Sequence, residues 1–232
     1  MMDSDSGGRH MNTQTIKSAA LIVLAFLGAQ SAGIAQWAYT YDGDVLPATA
    51  TPAWNNGGTA PSGFSTDGAI LTQNTTLGQD SWFRMDPPYW NASSQFGRFE
   101  FRARTLSLAS GATEVTRVTF GSTTRYWELS MRTNSVILGA SVAPVDTSVF
   151  HTYLVELSGT QASLWIDGDQ AASSIWGASA LNNLYFGDLD GSFTGGVAEW
   201  DYLYWTNVPE PASALLLGVA GLLLWRRRIR NG

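Results

Sequence analysis

Gly97-Arg98-Phe99-Glu100-Phe101-Arg102-Ala103-Arg104-Thr105 alternates without a break. Phe99, Phe101 and Ala103 fall on one side of an extended chain, and Arg98, Glu100, Arg102 and Arg104 on the other. One face is apolar and one charged, the pattern of an antiparallel sheet with a core on one side and water on the other. The period of two recurs outward from this stretch. Trp37-Ala38-Tyr39-Thr40-Tyr41 alternates before an Asp42-Gly43 turn. Residues 68–73, 81–84, 114–120, 125–131 and 135–138 read as further short strands, separated by Gly, Ser, Thr, Asn and Pro. Residues 55–68, rich in Gly and Asn, read as loop. No ten-residue stretch between 36 and 207 offers an amphipathic helix. Ten or more short strands in roughly 170 residues predict an all-β chain folded as a two-sheet antiparallel sandwich.

Later segments continue the pattern. Phe150 to Leu157 is a strand that turns at Ser158-Gly159-Thr160 into Gln161 to Ile166, and Asp167-Gly168-Asp169 makes a second tight turn. Asn183 to Gly187 and the long run Gly196 to Trp205 complete the order. This succession resembles the second half of a concanavalin A-like, laminin-G-like jelly roll. That family shows an aromatic-His-x-aromatic strand, a partner strand ending in Asp-Gly, and an acid-bearing closing strand. The resemblance covers about residues 96–206, and residues 36–95 match by composition only. It implies a fold used by lectins, carbohydrate-binding modules, glucanases and adhesion modules, and fold does not choose among them.

Composition narrows the choice. The chain has 232 residues and no Cys, which excludes a disulfide scaffold, a thiolate metal site and a Cys nucleophile. Aromatic residues make up 12%, too many for a disordered chain. Between residues 36 and 208 there is no Lys, and seven Arg stand against sixteen acids, a net charge near −9. Nucleic acid is excluded as a partner, because phosphate binding needs clustered basic groups.

The two ends read as addresses. Residues 1–35 comprise a leader and a secretory signal peptide: Lys17 in the n-region, the apolar run Ala19 to Ala29, and small residues at Gly33 and Ala35. Cleavage is expected between Ala35 and Gln36. Asp3 and Asp5 fit badly in an n-region, so Met11 competes with Met1 as the start. Residues 36–207 form the β domain. In residues 208–232, Pro209-Glu210-Pro211 precedes the uncharged run Ala212 to Trp225, and Arg226, Arg227, Arg228 and Arg230 follow. As a single transmembrane helix the run spans only about 21 Å, short of a hydrocarbon core of roughly 30 Å. The Arg cluster places this end in the cytoplasm, and the signal peptide places residue 36 outside. This tail resembles the PEP-CTERM sorting signal of Gram-negative bacteria that make extracellular polysaccharide. The resemblance implies that a membrane protease, exosortase, recognises Pro209, Glu210 and Pro211. An inner-membrane-anchored precursor, then a cell-surface or extracellular-matrix protein, is the expectation. The two prolines lack N–H donors and keep the motif extended for a protease.

Candidate chemistry inside the domain is sparse. Laminarinase-type glucanases of the resembled fold carry Glu-x-Asp-x-x-Glu on one strand. Glu199-Trp200-Asp201 matches its first half, and Tyr204 and Trp205 stand where the second Glu is needed. The favoured reading puts Glu199 and Asp201 on one solvent face, with Trp200 and Tyr202 inward. His151 is the one His between residues 36 and 208, too few for a His-based metal site, and reads as a hydrogen-bonded strand residue. No Gly-x-Ser-x-Gly elbow occurs. No metal site or cofactor is expected, apart from Ca²⁺, to which Asp188-x-Asp190-Gly191 or Asp167-Gly168-Asp169 could offer oxygens. Trp54, Tyr89, Trp90 and Trp176 lie in turn-like sequence and are the candidate glycan contacts, with packing the favoured alternative for each. The expectation is a carbohydrate-binding or adhesion module that is not an enzyme, with a glycan or exopolysaccharide as partner. The alternatives are a glucanase-type glycoside hydrolase and a ligand-free structural matrix protein.

Overall fold

A computed structural model describes residues 37–58, 63–91, 96–121, 125–175 and 181–206. The signal peptide with Ala35 and Gln36, Trp176, the Pro209-Glu210-Pro211 motif and the Arg226–Arg230 cluster lie outside the described residues. No helix among the described residues is long and apolar enough to cross a membrane.

Fifteen strands follow one another among the described residues: β1 Tyr39–Tyr41, β2 Asn55–Gly57, β3 Phe64–Thr66, β4 Leu71–Thr75, β5 Ser81–Met85, β6 Phe96–Leu108, β7 Thr116–Gly121, β8 Tyr126–Met131, β9 Ser135–Leu138, β10 Ser141–Pro144, β11 His151–Ser158, β12 Gln161–Ile166, β13 Asp169–Ile175, β14 Leu184–Asp188 and β15 Gly196–Thr206. They form two antiparallel sheets. Sheet A has the order β13-β12-β11-β6-β15-β4-β3, with β1 also on β15; sheet B has the order β10-β9-β8-β7-β14-β5-β2. The all-β, two-sheet antiparallel sandwich is therefore as expected. The loop expected over 55–68 holds two short edge strands, β2 and β3. They pair with β5 and β4 through backbone groups, which their Gly- and Asn-rich side chains do not advertise.

The alternation of Gly97–Thr105 is realised in β6. Phe99, Phe101 and Ala103 are fully buried, while Arg98, Glu100, Arg102 and Arg104 face out. The core between the sheets is dominated by aromatics. Trp54, Trp90, Trp127, Trp200 and Trp205 are all at most 2% exposed. Phe186 of β14 sits at their centre, 5.1 Å from the Trp54 ring and 5.0 Å from the Trp200 ring.

The closing strand departs from strict alternation. β15 pairs with β6 along its length, and the register slips between Trp200 and Tyr202. Asp201 is the extra residue of a bulge. Trp200 points inward as expected. Tyr202 does not: the bulge turns it outward, where it stacks on Tyr204 at 4.4 Å, and Leu203 takes the buried position.

One end of the core is polar. Along β4 the inward residues run Leu71, Gln73, Thr75; along β5 they run Met85, Phe83, Ser81. On β14 they run Leu184, Phe186, Asp188, and on β7 Phe120, Val118, Thr116. Asp188 is the register partner of Ser81, and Thr116 Oγ1 donates to Gln73 Oε1 at 2.6 Å across the sheets. All four strands thus turn from apolar to polar at the same end.

Candidate functional site

The outer face of sheet B carries the candidate site. On β7, Val118 and Phe120 are buried while Arg117 points out; on β8, Trp127 and Leu129 point in while Tyr126 and Glu128 point out. Antiparallel pairing lines these residues up across the sheet. One row is Asn55, Arg84, Tyr185, Thr119 and Glu128; the next is Gly57, Trp82, Gly187, Arg117 and Ser130. A pocket of about 320 Å³ opens here, lined by Arg117, Thr119, Tyr126, Glu128, Leu181, Tyr185 and Leu189.

Arg117 is the hub of the pocket. Its side chain is only 12% exposed, and it gathers three carboxylates. Nε and Nη2 donate to Glu114 Oε2 at 3.1 and 2.7 Å. Nη1 faces Glu128 Oε1 at 3.6 Å and Asp190 Oδ2 at 3.9 Å. Burial works against the guanidinium charge, but Glu114, Glu128 and Asp190 outweigh it and hold the pKa above its usual value. The Glu128 and Asp190 oxygens share Nη1, so they are at most about 7.5 Å apart, the two distances laid end to end. That limit covers the separation of about 5–5.5 Å in retaining glycosidases and only the lower end of the range of about 6.5–9.5 Å in inverting ones.

Aromatic rings flank the acids. Tyr126 and Tyr185 are half-buried in the pocket wall. Trp82 meets Tyr185 edge-on at 5.3 Å, and the Arg84 guanidinium lies 5.9 Å from the Tyr185 ring. Arg84 is tied to Asp86 at 2.8 Å, and Asn55 and Asn183 donate to the same carboxylate. Glycine at 57 lets the Trp82 indole lie against β2, since a Cβ there would sit 2.4 Å from the ring.

The residues singled out in the sequence lie outside this pocket. Trp54 and Trp90, candidates for glycan contact, are core residues at 2% and 0% exposure; the turns that carry them fold beneath the sheets, so neither offers a ring face to a ligand. Tyr89 is exposed, packs edge-on against Tyr39 at 5.7 Å, and does not line the pocket. Glu199 and Asp201 lie on the outer face of sheet A, where Glu199 binds Arg104 at 2.7 Å and Asp201 binds Arg102. His151 is held at both nitrogens, Nδ1 by Asp167 Oδ2 at 2.5 Å and Nε2 by the Asp146 carbonyl at 2.9 Å. The Asp167 carboxylate also accepts from the Thr152 N–H. Burial raises its pKa, and these two hydrogen bonds override that and hold it below the usual range. No three His, Asp or Glu side chains group around a metal-sized point among the described residues. Burial pushes the Asp188 carboxyl up to about 6, and the Asp80 and Asp190 charges add to the rise. Thr75 and the Asp190 N–H act in the opposite sense.

Glu114, Arg117 and Glu128 were not singled out in the sequence, and Asp190 was read there only as a possible Ca²⁺ ligand. The alternation of 125–131 does put Tyr126 and Glu128 on the face away from Trp127 and Leu129. Only the pairing of β7 with β14, some 65 residues on, brings Asp190 to them.

No family model matches the sequence, and no curated protein matches it. Solved structures do. The chain is similar to the Bacillus licheniformis β-glucanase, with a TM-score of 0.54 and 11% identity over 74% of this chain and 99% of that one. It is similar to the apo Crh5 transglycosylase, with a TM-score of 0.53 and 16% identity over 76% and 87%. It is also similar to the metal-free carbohydrate recognition domain of Emp46p, with a TM-score of 0.51 and 8% identity over 75% and 99%. At these identities the likeness establishes the fold, a jelly-roll sandwich of the kind found in these carbohydrate-active proteins. It corrects the expectation that the chain is not an enzyme. That expectation rested on the missing second Glu after Glu199 and Asp201, with Tyr204 and Trp205 in its place, while the fold is one that serves a glucanase and a transglycosylase.

Proposed function

We propose that this protein is an exported glycan-processing enzyme of the glucanase type, a glycoside hydrolase working in the pocket on the outer face of sheet B. The observation that carries the reading is the pocket that sets Glu128 and Arg117 beside Tyr126 and Tyr185, with Asp190 held on the same guanidinium. Glycoside hydrolysis needs one carboxyl group to protonate the leaving oxygen and a second to attack the sugar or activate water. Glu128, 40% exposed, reaches into the pocket. Arg117 fixes where both carboxylates stand, and Tyr126 and Tyr185 offer rings and hydroxyls to a sugar. The test is reducing-sugar release from a panel of β-glucans and bacterial exopolysaccharides. Glu128→Gln and Asp190→Asn are expected to lose on the order of 10²–10⁴-fold in rate while keeping the melting temperature. No release by the wild type, or equal release by Glu128→Gln, overturns the reading.

The same proposal includes delivery. The signal peptide is cut after Ala35, and the run Ala212 to Trp225 holds the precursor in the inner membrane. An exosortase acts at the PEP-CTERM motif Pro209-Glu210-Pro211, releasing the domain toward the cell surface or matrix. Support comes from the order of motif, apolar run and Arg cluster in the sequence. Replacing Pro209, Glu210 and Pro211 by Ala is expected to leave unprocessed precursor in the membrane fraction. Unchanged processing overturns this part alone.

A further inference from the structure

Both ends of the described chain lie at one end of the sandwich. Trp37 leads into β1, and β1 pairs with the last residues of β15, Tyr39 opposite Trp205. Aromatic side chains collect there. Tyr39 stacks on Trp205 at 5.3 Å and meets Tyr89 edge-on at 5.7 Å, and the Trp205 Nε1–H donates to the Tyr89 carbonyl at 2.9 Å. Trp37 lies 6.4 Å from the Tyr204 ring and has the Arg98 guanidinium 4.7 Å from its own ring centre. Trp37 and Tyr39 are half-buried and Tyr89 is 42% exposed, so the cluster forms part of the surface.

The charges divide along the same axis. In sheet A, Thr206 pairs with Arg98 and Arg98 with Glu156. In sheet B the matching end is Met85, Leu184 and Phe120, and the hydrogen bond from Trp205 to the Tyr89 carbonyl joins the two. Among the described residues the charged groups at these strand ends are Arg84, Arg98 and Arg125 against Asp86 and Glu156. At the opposite end, around Ser81, Thr116 and Gly196, Asp80, Glu114, Asp146 and Asp190 stand against Arg117 and Arg132. In a domain of net charge near −9, the aromatic end thus carries the positive balance and the far end the negative one. Trp, Tyr and Arg are the residues of a membrane interface, where amphipathic rings sit at headgroup level and the cations meet anionic lipid. Five residues, 207–211, separate Thr206 from the apolar run that begins at Ala212. That length of chain reaches at most about 20 Å, and β15 alone is roughly 35 Å long. A chain anchored through the run therefore keeps the aromatic end nearest the bilayer.

We propose that this end of the sandwich, through Trp37, Tyr39, Tyr89, Arg84, Arg98 and Arg125, docks on the anionic headgroups of the bilayer that holds the precursor. The inference rests on the delivery reading above, in which Ala212 to Trp225 sits in the inner membrane, and does not depend on the pocket being catalytic. The contact is weak on its own, since three rings and a small positive balance oppose a domain that is acidic overall. The short tether makes it sufficient by raising the local concentration of lipid at this surface. Its consequence is orientation: the sandwich stands on the membrane with its acidic end outward and the sheet B pocket clear of the lipid.

Site-specific quenching tests it. The chain has no Cys, so Ser158→Cys, in the turn after β11 at the aromatic end, and Ser110→Cys, in the turn after β6 at the far end, each carry a single fluorophore. The labelled full chain is reconstituted in vesicles of three parts phosphatidylethanolamine to one part phosphatidylglycerol, with a trace of lipid bearing a headgroup nitroxide. Quenching of the Ser158→Cys label is expected to exceed that of the Ser110→Cys label by about threefold or more, given sites roughly one strand length apart. The excess should fall by about twofold when Trp37→Ser and Tyr89→Ser are combined, and by a similar factor in phosphatidylcholine vesicles. Equal quenching at the two sites overturns the proposal. So does an excess that neither the double variant nor phosphatidylcholine reduces, because the tether alone then accounts for it. Should the double variant not fold, the comparison of the two lipid compositions decides. Failure of the full chain to float with the vesicles refutes the anchor itself, and the inference falls with it.

Discussion

Trp90→Phe separates a packing role from a ligand role at one position. The indole is fully buried. Its Nε1–H donates to the Gly121 carbonyl at 2.9 Å, and its ring meets Phe99 edge-to-face at 6.1 Å. It therefore ties the connection between β5 and β6 to the end of β7 in sheet B, while its ring packs on β6 of sheet A. Phenylalanine keeps the ring on Phe99 and removes the N–H. The lost hydrogen bond and the orphaned carbonyl together cost about 1–3 kcal/mol. The missing pyrrole leaves a void of roughly 40 Å³, which at about 24 cal/mol per Å³ adds about 1 kcal/mol. The expected loss is about 2–4 kcal/mol, read as a lower urea midpoint at constant slope and a melting temperature lower by about 5–15 °C. A loss below about 0.5 kcal/mol refutes the reasoning. So does reduced glycan affinity at an unchanged urea midpoint, which would put the indole face against a ligand.

Other perturbations follow the same logic. Arg117→Met leaves the buried Glu114 only the more distant Arg132, at 4.0 Å, and should destabilise by about 2–4 kcal/mol, somewhat less than a fully stripped buried pair, with Glu114→Met restoring much of that in the double variant; urea melts measure both. Gly187→Ala places a Cβ 2.6 Å from the Ser81 carbonyl at φ +119°, so expression yield and melting temperature should fall sharply, by an amount equivalent to about 2–3 kcal/mol or more. Glu199→Gln breaks the part-exposed pair with Arg104 and should cost less than about 1 kcal/mol, with reducing-sugar release unchanged. Asp167→Asn removes a carboxylate whose folded pKa is depressed. Its stabilising effect should be present above about pH 4, the unfolded value, and vanish as the pH falls through the lower folded value. A stability difference from the wild type that does not shrink as the pH falls below about 4 contradicts the assignment.

Much of the sandwich is written in local alternation. Phe99, Phe101 and Ala103 could be assigned inward from spacing alone, and the Gly159 and Gly168 turns mark the hairpins of β11, β12 and β13. What escaped is what pairing decides. β2 and β3 are strands because β5 and β4 offer backbone partners. The bulge at Asp201 reverses Tyr202 although the residue pattern on either side is regular. Trp54 and Trp90 sit among Gly, Asn and Pro, which signal turns, but a turn can carry its aromatic under a sheet as readily as over it. Glu114 and Arg117 are three residues apart and could be read as a pair. Glu128 and Asp190 join them only through strand order, which no short window of sequence contains.

The placement of β1 beside the end of β15 has a mechanical consequence. Tyr39 is opposite Trp205 and Tyr41 opposite Leu203, so the described chain enters and leaves at neighbouring points. A force pulling those points apart loads the β1–β15 hydrogen bonds one after another, as a zipper opens, rather than all at once in shear. β1 should peel away at low force, while β15 stays held along its length by β6. A sandwich tugged by its ends would thus yield first at a three-residue ribbon and keep the face bearing the pocket intact.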